Sequence, residues 1–290
     1  MEDILEQKRC SLIIVTYNSR SSISACLAPL VDMSDVEIIV VDNDSRDGTA
    51  ALLQERFPSV TLLTLQDNIG FGRACNIGVT ASSGSFILLL NPDAVASAQA
   101  IREFIAFFEK HPRIGIIGGR LVGPSGQPLQ SMGDRPTVVR LVLEKPLEWV
   151  ATRVNPSGVW RRSIGKYCAK FRLPQVAEPV DWVSGAALCC RRQAWNDTGG
   201  FDEKFFLYYE DVDLCLRAVQ VGWEVWHVPA AVVFHQSGVS FAGNVSYQKR
   251  IYYANQRYFF QKHQGFVVAS ILSLVQKLYC WRQSWGHSLS

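Results

Sequence analysis

The sequence predicts an α/β protein in which a mostly parallel, Rossmann-like central sheet is flanked by helices. Four short apolar runs rich in β-branched residues each lead into a polar turn and a helix-like stretch: residues 11–16, 36–41, 60–65 and 85–90. The runs are continuously apolar rather than alternating, which is typical of strands covered on both faces. Repeated strand, turn and helix units of this kind predict a parallel sheet between two layers of helices.

Composition indicates a globular protein with a sizeable core. The chain has 290 residues, 48% of them hydrophobic, and a formal net charge of only +3. The basic residues are scattered, so we expect no nucleic-acid partner. Eight cysteines without a CxxC pair fit neither a disulfide-rich scaffold nor a zinc site, and we expect them to be reduced.

The two ends of the chain bear on its location. The first ten residues lack the apolar core of a signal peptide, and no run approaches the roughly 20 apolar residues of a membrane span. We therefore expect a cytoplasmic protein. Residues 266–285 place Val267, Ile271 and Leu274 on one helical face. That face suits peripheral contact with the inner face of the cell membrane, and equally suits packing on the core or in a homodimer.

Polar turns after the strands are the expected ligand-binding positions, because ligands of such sheets lie beyond the carboxyl ends of the strands. Asp42 occupies the last buried position of the second strand, where a carboxylate is costly without a hydrogen-bond donor. We expect a nucleobase or ribose to supply that donor. Asp47, by contrast, precedes Gly48 and Thr49 and is explained by capping of the next helix.

Residues 68–78 contain Gly70 and Gly72 but do not match a dinucleotide fingerprint, since Cys75 stands where a glycine is required. We expect the glycines to permit a tight entry into a helix. Arg73 and Asn76 on that helix are then placed to face a phosphate-bearing ligand.

Asn91 and Asp93 lie on either side of a proline directly after the fourth strand. Pro92 restricts the backbone, so the amide and the carboxylate are held in set directions at the mouth of the sheet. A divalent cation such as Mn²⁺ or Mg²⁺ prefers oxygen ligands held in this way, although Asn-Pro-Asp is also an ordinary turn sequence. His235, at the end of a predicted strand pair over 224–235, is placed to complete a metal site with Asp93.

Glu210 and Asp211 open a predicted helix directly after several aromatic residues. The helix dipole favours acidic residues there, which is a sufficient explanation for Glu210 and Asp213. The aromatic neighbours predict a partly dehydrated setting, which raises the pKa of a carboxylate towards the useful range of a general base.

Seven motifs occur together in one order: LIIVTYNS, VVDNDSRDGT, DNIGFGRACNIG, LLLNPDA, WVSGAALCCRR, GGFDEKFFLYYEDVDLCLR and FHQSGVS. In this combination the chain closely resembles the inverting family-2 glycosyltransferases of the GT-A fold, and most of all their rhamnosyltransferase-like branch, whose metal motif is written NPD. The resemblance covers roughly residues 11–123 and 180–240, and the joint occurrence of the motifs makes it specific.

The resemblance implies roles for individual residues. It implies that Asp211 is the catalytic base, that Asp42 binds the nucleobase, and that Asp93 with His235 holds the cation on the diphosphate. Asn91 stands where many family members have aspartate, so it brings an amide for a ribose hydroxyl but no charge. The expected donor-binding set is Thr16, Tyr17, Asn18, Asp42, Asn68, Gly70, Arg73, Asn76 and Asn91. The expected acceptor side consists of Trp182, Ser184, Gly185 and Glu210.

The expected organisation is a GT-A catalytic domain over residues 1–240 and a C-terminal helical extension over 241–290. Within the domain, the nucleotide-sugar half covers about 1–123 and the acceptor-side half about 124–240, with no firm elements over 124–179. The expected reaction is metal-dependent, inverting transfer of a sugar from a nucleotide-sugar to a hydroxyl of a cell-surface glycan or lipid-linked acceptor. The rhamnosyltransferase branch favours dTDP-rhamnose as the donor.

Three other classes compete with this interpretation. A non-catalytic nucleotide-sugar or glycan-binding module is less favoured because the candidate carboxylates and His235 are all present. A nucleotidyltransferase would need a glycine-rich, lysine-containing phosphate loop near the first strand, which is absent. A structural zinc protein built around Cys189 and Cys190 lacks the required ligand spacing.

Overall fold

The computed structural model describes residues 9–141, 174–236 and 245–286. Most of the stretch for which the sequence predicts no firm elements therefore lies outside the described residues. The strands are β1 Cys10–Thr16, β2 Val36–Asp42, β3 Thr61–Thr64, β4 Phe86–Leu90, β5 Ala94–Ala96, β6 Ile114–Val122, β7 Met132–Gly133, β8 Glu178–Pro179, β9 Trp182–Val183, β10 Ala187–Arg191 and β11 Glu224–His235. The helices are α1 Ile23–Leu27, α2 Thr49–Arg56, α3 Phe71–Thr80, α4 Ala98–Lys110, α5 Arg192–Thr198, α6 Glu210–Gln220, α7 Val245–Gln264 and α8 Phe266–Gly286.

Within the described part of the chain, nine strands form one central sheet in the order β3-β2-β1-β4-β10-β6-β11-β5, with β8 also paired to β11. The pairings make β1, β2, β3, β4, β6 and β11 run in one direction, while β5, β8 and β10 run in the other. The predicted mostly parallel sheet is confirmed, and β1 to β4 coincide with the four apolar runs.

Helices cover both faces of this sheet, which is why its strands read as continuously apolar. On one face, residues such as Leu12 and Leu88 pack with side chains of α1, α2 and α4. On the other, Ile13 and Leu89 pack with side chains of α3, α5 and α6. Neighbouring residues of one strand thus pack into different cores, because side chains alternate between the two faces of a sheet.

The predicted strand pair over residues 224–235 is wrong, because β11 is one twelve-residue strand. Its pairing with β6 shifts in register between Val228 and Val232. Pro229 lies in this irregular segment, and proline has no N–H group to donate to a neighbouring strand.

The C-terminal helices α7 and α8 pack against α6 and the loop before it. Phe259, Phe260 and Leu272 form an apolar cluster with Phe205, Tyr209, Val212 and Leu216. No helix among the described residues has the length and apolar character needed to cross a membrane.

A buried charge cluster reinforces this contact. Asp213 of α6 is fully buried and accepts hydrogen bonds from Arg217 Nε at 2.7 Å, Lys262 Nζ at 2.7 Å and His263 Nε2 at 2.8 Å. Burial by itself raises the pKa of Asp213, but the hydrogen bond from His263 and the charge of Arg217 outweigh burial and hold the pKa below its ordinary value. Lys262 also bridges to Asp202.

We expect Asp213→Asn to lower the free energy of unfolding by about 3 kcal/mol, because among the described residues it removes the one negative charge that pairs with Arg217 and leaves Lys262 with Asp202 alone. Chemical denaturation would measure the loss. Glu109→Gln is the control, since its ion pair with Arg9 is about half exposed and such pairs contribute ~1 kcal/mol or less. Equal losses for the two variants would contradict this account of the cluster.

Candidate active site

Two adjoining cavities lie at the carboxyl ends of the parallel strands. The smaller has a volume of about 240 Å³ and the larger about 410 Å³. They share five lining residues, namely Phe71, Asn91, Leu207, Tyr208 and His235. A ligand that spans both cavities would therefore pass between the ends of β4 and β11 on one side and the loop before α6 on the other.

Six of the predicted residues line the smaller cavity: Tyr17, Asn68, Gly70, Asn91, Asp93 and His235. Asn43, which the sequence interpretation did not select, also lines this cavity and forms hydrogen bonds with the segment 68–69. Its Nδ2 donates to Asn68 Oδ1 at 3.0 Å, and its Oδ1 accepts from the Ile69 N–H at 3.0 Å. The only signal in the sequence is its position in a polar turn, directly after Asp42.

Asp42 is buried, but the protein itself supplies its hydrogen-bond donors. The Thr16 hydroxyl donates to Asp42 Oδ1 at 2.7 Å, and the Ser45 N–H donates to Oδ2 at 3.2 Å. The argument that burial of Asp42 requires a nucleotide donor is therefore corrected. Its contact with a nucleobase stays a prediction from the resemblance.

Asn18 shapes the neighbouring turn. Its backbone has a positive φ of 53°, its N–H donates to Ser45 Oγ at 2.8 Å, and its Oδ1 accepts from the Arg46 N–H at 2.8 Å. Asn18 and Thr16 are among the predicted donor-binding residues but not among those that line the two cavities. Their side chains stabilise the turns that carry Tyr17.

Arg73 and Asn76 are not brought to either cavity. Asn76 Nδ2 donates to the Phe201 carbonyl at 3.0 Å, and its Oδ1 accepts from the Phe201 N–H at 2.9 Å. Arg73 pairs with Glu203, and both side chains are about half exposed. Both residues therefore attach α3 to the segment before α6, and the expectation that they face a phosphate is corrected.

Asp93 and His235 do meet, because β5 begins directly after Asp93 and pairs with the end of β11 so that His235 lies opposite Ala94. Asp93 Oδ1 and His235 Nε2 are 3.2 Å apart, and the same Nε2 is 3.3 Å from Asn91 Nδ2. If Nε2 accepts a hydrogen bond from the Asn91 amide, it carries no proton and cannot donate one to Asp93.

This pair fits a divalent cation. Ligands at adjacent corners of an octahedron with metal–ligand bonds of about 2.1 Å are about 3 Å apart, close to the observed separation. No group of three or more His, Cys, Asp or Glu side chains that could hold a metal occurs among the described residues. Asp93 and His235 alone would leave positions open for the oxygen atoms of a phosphate ligand, as is usual for Mg²⁺.

Asp211 faces the larger cavity and is oriented by the backbone. The Gly185 N–H donates to Asp211 Oδ2 at 2.9 Å, and the Val212 N–H donates to Oδ1 at 2.8 Å. Burial raises the pKa of Asp211, and these hydrogen bonds oppose the shift without cancelling it. A carboxylate with a raised pKa, fixed in direction at a cavity wall, is suited to accept a proton.

Glu210 also lines the larger cavity, but it is only 4% exposed. Burial, and then the neighbouring Asp211, raise the pKa of Glu210 well above its ordinary value. Its Oε2 has no hydrogen-bond partner among the described residues. The two adjacent carboxyl groups are therefore unlike, since Asp211 is fixed by two N–H groups and Glu210 Oε2 is not.

The remaining wall of the larger cavity contains Trp182, Ser184 and Gly185, so the predicted acceptor-side residues lie beside Asp211. Trp182 Nε1 donates to the Asp134 carbonyl at 3.1 Å. The ion pair between Arg140 and Asp134 also borders this cavity. These two residues were missed because they fall in the stretch where the sequence predicts no firm elements.

The loop Phe205–Tyr209, here called the aromatic loop, lies beside α7, and α7 itself contributes Gln248 to the smaller cavity and Tyr252 to the larger one. Tyr208 and Tyr209 both have a φ of 72°, which side chains other than glycine rarely adopt. Helix α7 holds the loop through three hydrogen bonds of 2.6 Å each. Their donors and acceptors are Asn255 Nδ2 to the Leu207 carbonyl, Gln256 Nε2 to the Tyr209 hydroxyl, and Gln248 Nε2 to the Tyr208 hydroxyl.

Solved structures with a similar fold are glycosyltransferases. Staphylococcus aureus TarS superposes with a TM-score of 0.57 and 17% identity over 87% of this chain and 39% of that chain. A mannosyltransferase from Pyrobaculum calidifontis, solved with GDP-Man and Mn²⁺, gives a TM-score of 0.55 and 17% identity over 88% of this chain and 63% of that chain. The expected GT-A fold is confirmed.

The sequence profile described as Glycosyl transferase family 2 matches residues 11–171, more than half of the chain. An N-acetylglucosaminyl-diphospho-decaprenol L-rhamnosyltransferase of Mycobacterium tuberculosis is 30% identical over 79% of this chain and 76% of its own length. Escherichia coli rhamnosyltransferase WbbL is 25% identical over 57% of this chain and 60% of its own length. The chain therefore belongs to glycosyltransferase family 2, in its rhamnosyltransferase-like branch.

Gly70 allows the aromatic loop to approach α3. Its φ is +91°, and a Cβ added there would lie 2.6 Å from the Phe206 carbonyl oxygen, which accepts the Phe71 N–H at 2.8 Å. We expect Gly70→Ala to lower the free energy of unfolding by about 3 kcal/mol, combining a positive-φ penalty with steric overlap.

Gly126→Ala is the matched control for this prediction. Gly126 also has a positive φ, +75°, but a Cβ there would meet nothing within 4 Å. Only the conformational penalty of about 1 kcal/mol is expected in that variant. Chemical denaturation would compare the two variants, and equal losses would refute a steric role for Gly70.

Proposed function

We propose that this family-2 glycosyltransferase transfers a hexosyl group, rhamnose from dTDP-rhamnose, to a hydroxyl of a lipid-linked or glycan acceptor. Transfer proceeds with inversion and uses a divalent cation. The observation that carries the proposal is the arrangement of two unlike sites in adjoining cavities. Asp93 and His235 face the smaller cavity, while Asp211 faces the larger one.

The relatives support the sugar and the acceptor class. The Mycobacterium tuberculosis relative is described as acting on N-acetylglucosaminyl-diphospho-decaprenol with L-rhamnose, and the Escherichia coli relative as a rhamnosyltransferase. A lipid-linked sugar diphosphate is therefore the acceptor class we favour. A solved mannosyltransferase of similar fold that holds GDP-Man and Mn²⁺ supports the use of a cation.

In the proposed assignment, the smaller cavity binds the nucleotide. Tyr17, Asn68 and Asn91 line that cavity and offer a phenol and two amides for the base, ribose and phosphates. Asp42 stays assigned to the nucleobase through the resemblance. Arg73 and Asn76 are left out because they bind the segment before α6. When bound at Asp93 and His235, a divalent cation stabilises negative charge on the departing diphosphate.

Asp211 is proposed as the general base. Its carboxylate accepts the proton of the acceptor hydroxyl while the hydroxyl oxygen forms a bond to the anomeric carbon. The bond from that carbon to the diphosphate oxygen breaks on the opposite face, so a single displacement inverts the configuration. Gly185 and Val212 hold the carboxylate in direction, and Trp182 and Ser184 line the space proposed for the acceptor.

We expect Asp211→Asn to reduce kcat by about a thousandfold, because an amide cannot accept the proton. The affinity for the donor, measured by isothermal titration calorimetry, should be unchanged. In the wild type, kcat should fall as the pH drops through the raised pKa of Asp211, at a higher pH than for an ordinary aspartate.

The exposed Asp197→Asn variant is the control and should retain wild-type kcat. If Asp211→Asn keeps near-wild-type turnover, or if its residual activity shows the same acid limb as the wild type, then Asp211 is not the base.

We expect dTDP-rhamnose with Mn²⁺ to raise the Tm by about 5 °C at a hundredfold excess over Kd, because binding to the folded state alone stabilises it. A thermal-shift panel of nucleotide-sugars, with and without Mn²⁺, measures base, sugar and metal together. Asp93→Asn should lose the Mn²⁺-dependent part of the shift.

The control in this experiment is Asp197→Asn, which should retain the Mn²⁺-dependent shift. A larger shift with another nucleotide-sugar would replace the proposed donor. Transfer that survives exhaustive treatment with EDTA would remove the cation from the proposal.

A further inference from the structure

The last helix presents a continuous apolar surface to solvent. Five residues of α8, here called the apolar stripe, are between 37% and 73% exposed: Phe266, Val267, Ile271, Leu274 and Val275. They recur at helical spacing on one side of α8, while Ala269, Leu272 and Gln276 on the other side are buried. The buried side of α8 is itself largely apolar, because Ala269 and Leu272 belong to the cluster around Phe259 and Phe260. The exposed side is apolar as well, which is unusual for a helix at the protein surface.

The charge of this part of the chain is also unusual. From residue 225 to residue 290 there are six lysine and arginine residues and no aspartate or glutamate, so this part carries a formal charge of +6. The first 224 residues carry a formal charge of −3, which together give the net charge of +3. Lys277 is exposed and lies one turn from Leu274, at the edge of the apolar stripe.

The apolar stripe and the positive charge together indicate what binds to this surface. A second copy of the chain would bring an equal positive charge against the first, which opposes association at this surface. An anionic lipid surface offers both the apolar interior for the stripe and the negative charge for the basic residues. We propose that α8 lies flat on an anionic lipid bilayer, with the apolar stripe inserted between the headgroups and the exposed Lys277 beside the phosphates.

Hydrogen bonds connect this surface to the active site. Gln276 of α8 donates from Nε2 to Gln256 Oε1 at 2.6 Å, and Gln256 in turn holds the Tyr209 hydroxyl beside Glu210 and Asp211. A bilayer that binds α8 thus holds the cleft at a fixed height and orientation. The benefit for catalysis rests on the proposed function, because only a lipid-linked acceptor would be presented from that bilayer.

The test is sedimentation of the full chain with sucrose-loaded vesicles, without donor or acceptor. One set of vesicles is pure phosphatidylcholine, and the other contains equal parts of phosphatidylcholine and phosphatidylglycerol. The wild type should sediment with the anionic set, and binding should weaken as salt is added. Ile271→Glu with Leu274→Glu should lower the partition coefficient at least about tenfold, because two inserted apolar side chains become charged.

The matched control is Val219→Glu with Val232→Glu, which adds the same charge at two exposed valines outside α8 and should bind as the wild type does. Circular dichroism and thermal unfolding establish that both double variants are folded. Wild-type protein that stays in the supernatant, equal binding to neutral vesicles, or full binding of the α8 variant would each overturn the proposal.

Light scattering gives one further outcome that would overturn it. A wild-type dimer that becomes monomeric in the α8 variant, without vesicle binding by either, would assign the apolar stripe to a second copy. Because no substrate is present, failure to bind vesicles leaves the transferase proposal intact. Conversely, a protein that binds vesicles but transfers no sugar would support the membrane-binding proposal and contradict the proposed function.

Discussion

The candidate site depends on the aromatic loop being held in a conformation that its own residues disfavour. Two consecutive tyrosines with positive φ cost on the order of 1–2 kcal/mol each. Three side-chain amides of α7 and the close approach permitted by Gly70 offset that cost. The loop enters α6 directly, so the direction of Asp211 is set from two sides, by Gly185 in the turn between β9 and β10 and by α7 through Tyr209. The C-terminal helices in this sense help to shape the candidate site.

Much of the fold could be predicted from the sequence because local and long-range constraints agree. Strands buried on both faces must be continuously apolar, and four such runs stand out clearly. β11 was harder to predict, because it continues through Pro229 in a segment where the register with β6 shifts. Its pattern alone does not distinguish an irregular long strand from two short ones.

The site was predictable to the extent that strand ends determine position. Asp93 and His235 are far apart in sequence. They meet because Asp93 directly precedes β5 and His235 ends β11, and these two strands are paired. Arg73 and Asn76 were misassigned because a polar residue near a helix start is equally suited to a ligand and to a distant carbonyl. Their partners lie more than a hundred residues away in the chain, which is information that local patterns lack. Asn43 was missed for the same reason, since nothing distinguishes a bracing amide from any other polar turn residue.

The irregular segment of β11 has a consequence for the placement of His235 beside Asp93. Gly119 and Arg120 are neighbours on β6, yet their partners on β11 are Val228 and Val232, so three residues pass without a partner. Beyond that point the strand runs in step to His235, opposite Ala94. A slip of one residue in the pairing that follows this segment would turn every later side chain to the opposite face of the sheet, His235 included. The number of residues between the irregular segment and His235 therefore matters independently of which residues they are. A substitution scan leaves that number unchanged, whereas an insertion or deletion scan changes it.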